Sequence, residues 1–302
     1  MSRKPGVYRI LLRVLEAVPL PVLAALFEFL ALCVWALDRK HRRIARINLR
    51  IAFPELEDRE ASRIVRRSYL RLGTSAAEFV RIPRMDRATF ERRIRLEGVD
   101  RVVSLTEERG IAPLLLTGHV GSWELLAQAA VLLPVRIAFL VRPLRDPALD
   151  ALVLERRERA GNRAITKTDS AREVIRQLRN GTPVGILMDQ SVDPRHGVLV
   201  DFFGKPAFTT DGLARIALAA RAPVVPVFIY RDPRRKFHHT IRVGAPLPMD
   251  PEAPRDAEVL RLTRACNEAL EEAIRRDPAQ WLWMQRRWRT RRAGDPDPYE
   301  EA

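Results

Sequence analysis

The stretch LLLTGHVGSWELL, residues 114–126, passes from an unbroken apolar run into a turn bracketed by two glycines and then into a helical pattern. A short apolar run bounded by turn residues reads as a strand buried on both faces, the kind a parallel sheet requires. With the strand ending near Thr117, GHVG is the turn, Ser122 is the N-cap, and Glu124 falls in the first helical turn with His119 on the loop above it. On one continuous helix the two side chains would be turned apart by about 140° and could not meet. Ligands of open α/β sheets bind beyond the carboxyl ends of the strands, where this turn lies. A first-turn glutamate also suits the helix dipole without any chemical role. Geometry alone therefore leaves the pair open between catalysis and an ordinary strand-to-helix turn.

Outward from this stretch the same rhythm repeats. Strand candidates are APLLLT (112–117), VRIAFLV (135–141), PVGILM (183–188), PVVPVFIY (223–230) and HHTIRVG (238–244), with helical stretches at 123–133, 147–160, 169–180 and 210–221 between them. Alternation of this kind predicts an α/β fold, a largely parallel central sheet flanked by helices. Residues 56–105 read as charged amphipathic helices, and the end, RRAGDPDPYEEA, as a polar tail over 291–302.

Residues 17–37, AVPLPVLAALFEFLALCVWAL, are long enough to cross a bilayer, which takes roughly 20 apolar residues. The eleven Leu, Val and Phe residues favour insertion by roughly 3–7 kcal/mol, against about 3 for the central Glu28. Pro19 and Pro21 start the helix near Pro21, and the shortened run leaves spanning and lying in the interface equally open. Arg3, Lys4, Arg9 and Arg13 precede the run, and the denser cluster Arg39, Lys40, Arg42, Arg43 and Arg46 follows it. The positive-inside rule then puts the remaining chain in the cytoplasm. The division expected is a membrane anchor or interfacial helix over 1–40, a catalytic domain over 41–290, and the tail.

Formal charge is +15, carried by 48 arginines against five lysines. Such a field attracts anions: phospholipid headgroups, nucleic acid or an acidic carrier protein. Cys33 and Cys266 are too few for a disulfide framework or a cysteine zinc site, and the HExxH pattern is absent. No cofactor or metal is indicated. Ser122 lacks the GxSxG elbow, which favours a histidine base over a covalent nucleophile.

These residues resemble the late acyltransferases of lipid A biosynthesis and related bacterial glycolipid acyltransferases. The family's histidine, four-residue spacer and acid match His119 and Glu124 within TGHVGSWE. RRIARINLRIAFPEL (42–56), VRPLRDPALDALVLERRERAG (141–161), GILMDQSVDPRHGVLVDFFGKPAFTTDGLARIAL (185–218) and PAQWLWMQRRWR (278–289) look like its other blocks. Gln285 stands where the family usually has histidine, and DQSVDPRHG varies a segment often richer in acids or glycines.

The resemblance implies a glycerolipid-acyltransferase-like fold and transfer of a fatty acyl chain from a thioester, acyl carrier protein or another donor, to a hydroxyl of a membrane glycolipid. His119 would be the general base and Glu124 would fix its tautomer. Arg142 and Arg159 would hold phosphate through their planar forks, and Asp189 would orient substrate or cap the following turn. Lys205 and Thr209 would form an acceptor-site lip. QWLWMQRRWRTR reads either as an interfacial belt of tryptophans and arginines or as a terminal helix whose tryptophans fill core. Rival readings are acylation of another envelope lipid, a mannosylated phospholipid or lysophospholipid; a soluble hydrolase that releases free fatty acid; and a non-enzymatic basic protein on an anionic membrane surface. Nucleic acid is not expected, since no zinc finger or RNP-like pattern occurs.

Overall fold

The computed structural model describes residues 4–166, 170–289, 294 and 297–300. Five helices, α1 (Lys4–Ala17), α2 (Leu20–Leu37), α3 (Arg39–Ala52), α4 (Asp58–Arg81) and α5 (Arg87–Arg93), come before the first strand, β1 (Ile94–Glu97). The chain continues through α6 (Asp100–Arg109), β2 (Leu114–Thr117), α7 (Trp123–Gln128), β3 (Ala138–Val141) and α8 (Pro147–Arg157). There follow β4 (Arg163–Thr166), α9 (Ser170–Arg179), β5 (Val184–Leu187) and a hairpin of β6 (Val198–Phe202) and β7 (Lys205–Thr209). Helix α10 (Gly212–Ala220), β8 (Val224–Arg231), β9 (His239–Val243) and α11 (Arg255–Arg276) complete the elements. Most of the 291–302 tail lies outside the described residues.

The main sheet has the order β1-β9-β8-β2-β5-β3-β4. Strands β8, β2, β5, β3 and β4 run parallel. β9 turns back antiparallel on β8, and β1 follows β9. This is the α/β architecture expected. All four residues of β2 are buried, as a central parallel strand with helices on both faces demands.

The structure departs from the sequence reading in the short elements. IRLE (94–97) lies within the region read as helical but forms edge strand β1, and RAIT (163–166) forms the opposite edge, β4. The 123–133 helix is α-helical only to Gln128, then tightens into a 3₁₀ turn over Ala129–Leu132. The closing motif is neither belt nor helix. Trp281, Trp283 and Trp288 are each at most 1% exposed, with Trp281 edge-on to Trp283 at 4.6 Å between ring centroids and Phe202 tilted against Trp288 at 5.6 Å. Aromatic side chains bury roughly 150–250 Å² each, so this segment closes the core under the hairpin.

Candidate active site

Strand register decides the site. Thr117 at the end of β2 pairs with Leu187 at the end of β5, and Met188 N donates to Thr117 O at 3.2 Å. The residues two positions beyond each strand end, His119 and Asp189, therefore emerge side by side although 70 positions separate them in sequence. The His119 ring Nδ1 lies 2.8 Å from Asp189 Oδ1, and the His119 backbone N–H donates to Oδ2 at 2.9 Å. Trp281 Nε1–H donates to the same Oδ2 at 2.7 Å. Asp189 is wholly buried, whereas the His119 side chain keeps 19% of its surface exposed. Trp123 stands edge-on to the imidazole at 5.1 Å.

Both glycines of the turn are demanded by close packing. A Cβ on Gly118 would come within 2.8 Å of Leu270 Cδ2 and 3.2 Å of Asp189 Cγ. Gly121, at φ +60°, would place one 2.1 Å from the Ile229 carbonyl oxygen. The turn is also fastened from outside: Val120 bridges to Trp281, and Gly121 N donates to Gln280 O at 2.8 Å. Ser122 occupies the N-cap position, but its hydroxyl makes no cap bond. It donates instead to Glu78 Oε2 at 2.9 Å.

Burial disfavours the imidazolium form of His119, but the adjacent Asp189 carboxylate, with Glu124 adding to it, outweighs burial and raises the histidine above its ordinary value. Burial likewise works against the Asp189 carboxylate, and the hydrogen bonds and charge from His119, with Trp281, hold it below the usual carboxylate range. The result is an ionised acid behind a more basic imidazole.

His119 lines a cavity of about 800 Å³, within the roughly 300–1,000 Å³ of small-ligand sites. Its walls are mainly apolar, including Leu115, Leu126, Ile137, Leu187, Val227 and Ile241. Glu124, Arg142, Arg157 and Arg215 add charge to the lining.

The expected site residues divide. His119, Glu124 and Arg142 line the cavity. Glu124 makes no ion pair with His119; both its oxygens take the Arg157 guanidinium, at 2.6 and 2.9 Å. The carboxylate hydrogen-bonded to the imidazole is Asp189, which neither faces the cavity nor caps a turn. Arg159 is exposed outside the lining, because α8 ends at Arg157 with that residue turned inward. Lys205 is exposed at the start of β7, away from the cavity. Thr209 is fully buried beneath the hairpin, where its hydroxyl accepts from Arg287 Nη2 at 2.6 Å. The sequence reading missed Arg157 and Trp281. The helical phase set by the Asp146 N-cap separates Arg157 from Arg159, but nothing in the local pattern marks Trp281 as a partner of Asp189.

A histidine backed by a buried carboxylate, at the carboxyl end of a parallel sheet and opening on a mainly apolar cavity, belongs to an α/β acyltransferase. The chain is a member of the bacterial lipid A biosynthesis acyltransferase family, whose model matches residues 6–290. It is 25% identical over 279 residues to lipid A biosynthesis acyltransferase 2 of Shigella flexneri, covering 92% of this chain and 86% of that protein. It is 25% identical over 280 residues to the lipid A biosynthesis myristoyltransferase of Escherichia coli K12, covering 93% and 84%. The lipid A biosynthesis lauroyltransferase of the same organism is 27% identical over 289 residues, covering 93% and 90%.

Proposed function

We propose that the protein moves a fatty acyl chain from a thioester donor, acyl carrier protein, to a hydroxyl of a lipid A-type glycolipid, with His119 as general base. The observation that carries this reading is the His119–Asp189 pair in the wall of the apolar cavity. Asp189 holds the proton on Nδ1 and leaves Nε2 to take the acceptor hydroxyl's proton as its oxygen attacks the thioester carbon. The tetrahedral intermediate then collapses, the C–S bond breaks, and the imidazolium returns its proton to the departing thiolate. The apolar wall takes the acyl chain, each buried methylene contributing about 0.8 kcal/mol.

Glu124 acts through Arg157 on this reading. The bidentate pair aims the guanidinium into the cavity, where it and Arg142 meet phosphate on the acceptor or on the donor's prosthetic arm. The amides of His119, Gly121, Leu125 and Leu126 are engaged by Asp189, Gln280 and Ser122, and on this reading the amides of Trp123 and Glu124, in the first turn of α7, meet the developing oxyanion. Residues 41–290 form the catalytic unit, on the cytoplasmic side of the inner membrane.

The test is acyl transfer from acyl carrier protein thioesters to lipid A precursors, mannosylated phospholipids and lysophospholipids, with His119→Ala beside wild type. Transfer to the lipid A precursor, lost in the variant, is expected. Transfer to a different acceptor changes the substrate assignment, and an equally active variant removes the mechanism.

A further inference from the structure

By length and composition α2 can cross a membrane, but its packing is that of a helix fixed to the domain along its whole length. Leu20, Leu23 and Ala24 are buried in one cluster with Ala77 and Val80 of α4. One turn further, Gly73 lets the two backbones close: a Cβ there would lie 2.6 Å from Phe27 O. Glu28, at the middle of the apolar run, accepts from Thr74 Oγ1 at 2.5 Å and pairs with Lys236 Nζ at 2.8 Å. Near the far end, the guanidinium groups of Arg42 and Arg66 sit 5.4 and 5.9 Å from the Trp35 ring. Sinking α2 across a bilayer would strip Glu28 of both partners or draw the exposed Arg63, Arg66 and Arg67 of α4 into hydrocarbon. Charge at the bilayer centre opposes either course.

The opposite face is bare. Thirteen large hydrophobic side chains are exposed among the described residues, and ten of them lie on α1 and α2. Val7, Ile10, Leu11 and Val14 make a stripe on α1, continued on α2 by Val22, Leu26, Phe29, Leu30, Val34 and Leu37. Phe29 is 62% and Leu37 82% exposed, a concentration that marks an interaction surface. Helix α1 is tied to the catalytic unit as well, by Tyr8 Oη donating to Asp146 at 3.2 Å and by the Glu16–Arg156 pair. These ties carry the stripe toward Leu144, which is exposed and lines the cavity. Exposed Arg9 and Arg13 on α1, and Arg39, Lys40, Arg43 and Arg46 on α3, supply positive charge around the apolar face, suited to anionic headgroups.

We propose that α1 and α2 form one in-plane docking surface for an anionic phospholipid bilayer, and that α2 lies in the interface without crossing it. The proposal rests on the packing of α2 on α4 and stands whether or not His119 is the base. The Glu28 contacts act as a tether that holds α2 to Thr74 of α4 and to Lys236 in the turn between β8 and β9.

Two measurements on the full chain test this. In a Cys33→Ser background, Gly6→Cys and Arg195→Cys are labelled with a membrane-impermeant maleimide in right-side-out spheroplasts and in inverted inner-membrane vesicles, the background chain serving as blank. Both positions labelled from the same side is the expected result; labelling from opposite sides means that α2 spans and overturns the proposal. In flotation with phosphatidylglycerol/phosphatidylcholine vesicles, the combined Leu26→Glu, Phe29→Glu and Leu30→Glu substitutions lower the bound fraction at least tenfold, while His119→Ala binds as wild type. Unchanged flotation of the triple variant overturns the proposal. So does a wild-type dimer that ignores vesicles and dissociates on the triple substitution, which would give the face to a second copy. An unchanged thermal melt of the triple variant confirms that it folds.

Discussion

Two histidine–carboxylate pairs of the same length meet the GHVGS segment, one through His119 itself and the other through the bond of Ser122 to Glu78. His119 Nδ1 stands 2.8 Å from Asp189, and His239 Nε2 stands 2.8 Å from Glu78. The first histidine opens onto the cavity. The second is only 1% exposed, and its carboxylate is further held by Arg231 at 2.7 and 2.9 Å and by Ser122 at 2.9 Å. Burial works against the Glu78 charge, but His239 and Arg231 overcome it and hold the carboxyl down at about 2. The pairing chemistry is therefore shared. What differs is access, and a third charge that locks one of the pairs. One pair borders the cavity, and the other fastens Ser122 beside the turn that carries the first.

The largest effect expected is loss of about 10²–10⁴-fold in turnover for His119→Ala, read by acyl transfer, with the thermal melt little changed. Its counterpart, Glu78→Ala, strands Arg231 and His239 without their anion and costs about 3–5 kcal/mol of stability, read by denaturant unfolding. A stable Glu78→Ala chain, or a His119→Ala chain that unfolds, would erase the contrast. Acid should weaken both pairs, because Glu78 and Asp189 are each held below the usual carboxylate range. Because Glu78 titrates lower in the folded chain, its stabilisation is present above the ordinary carboxylate value and is lost as pH falls toward about 2.

Asp189→Asn comes next, with a loss in kcat of up to about 10⁴-fold by analogy with other histidine–aspartate pairs. The sign of its pH effect is fixed. Asp189 raises His119, and the base works when neutral, so removing the charge moves the acid limb of kcat/KM to lower pH. A limb that stays in place would show that Asp189 does not act on the imidazole. Arg157→Ala is expected to raise KM roughly tenfold or more, since hydrogen bonds to charged groups contribute about 1.5–3 kcal/mol; Glu124→Ala should follow it in the same assay. The smallest effects belong to Arg159→Ala and Lys205→Ala, each within about 0.5 kcal/mol in stability and twofold in activity.

How far the chain could be read in advance varies with the kind of signal. Long apolar runs are legible because a strand buried on both faces must be apolar throughout: β2, β3 and β5 fall within the stretches picked out by that pattern, and β8 runs one residue past its stretch, while β9, HTIRV, falls within its predicted stretch but alternates in burial. Edge strands β1 and β4 are four residues each, with charged neighbours, and their form is set by β9 and β3 beside them. The closing tryptophans could have been a surface belt or core, and only the packing of Phe202 against Trp281 and Trp288 makes them core. For the apolar run of α2, composition cannot say which face is spoken for; α4 decides it.

By itself the sequence determined the class of fold, the histidine at the end of β2 and the apolar N-terminal helix, because each is a local pattern of side chains along the chain. Only the tertiary structure decided that the imidazole meets Asp189 and not Glu124, and that Glu124 meets Arg157. The reason is physical. Arg157 at the end of α8 takes both oxygens of Glu124, whereas parallel pairing of Thr117 with Leu187 brings two distant strand ends into register.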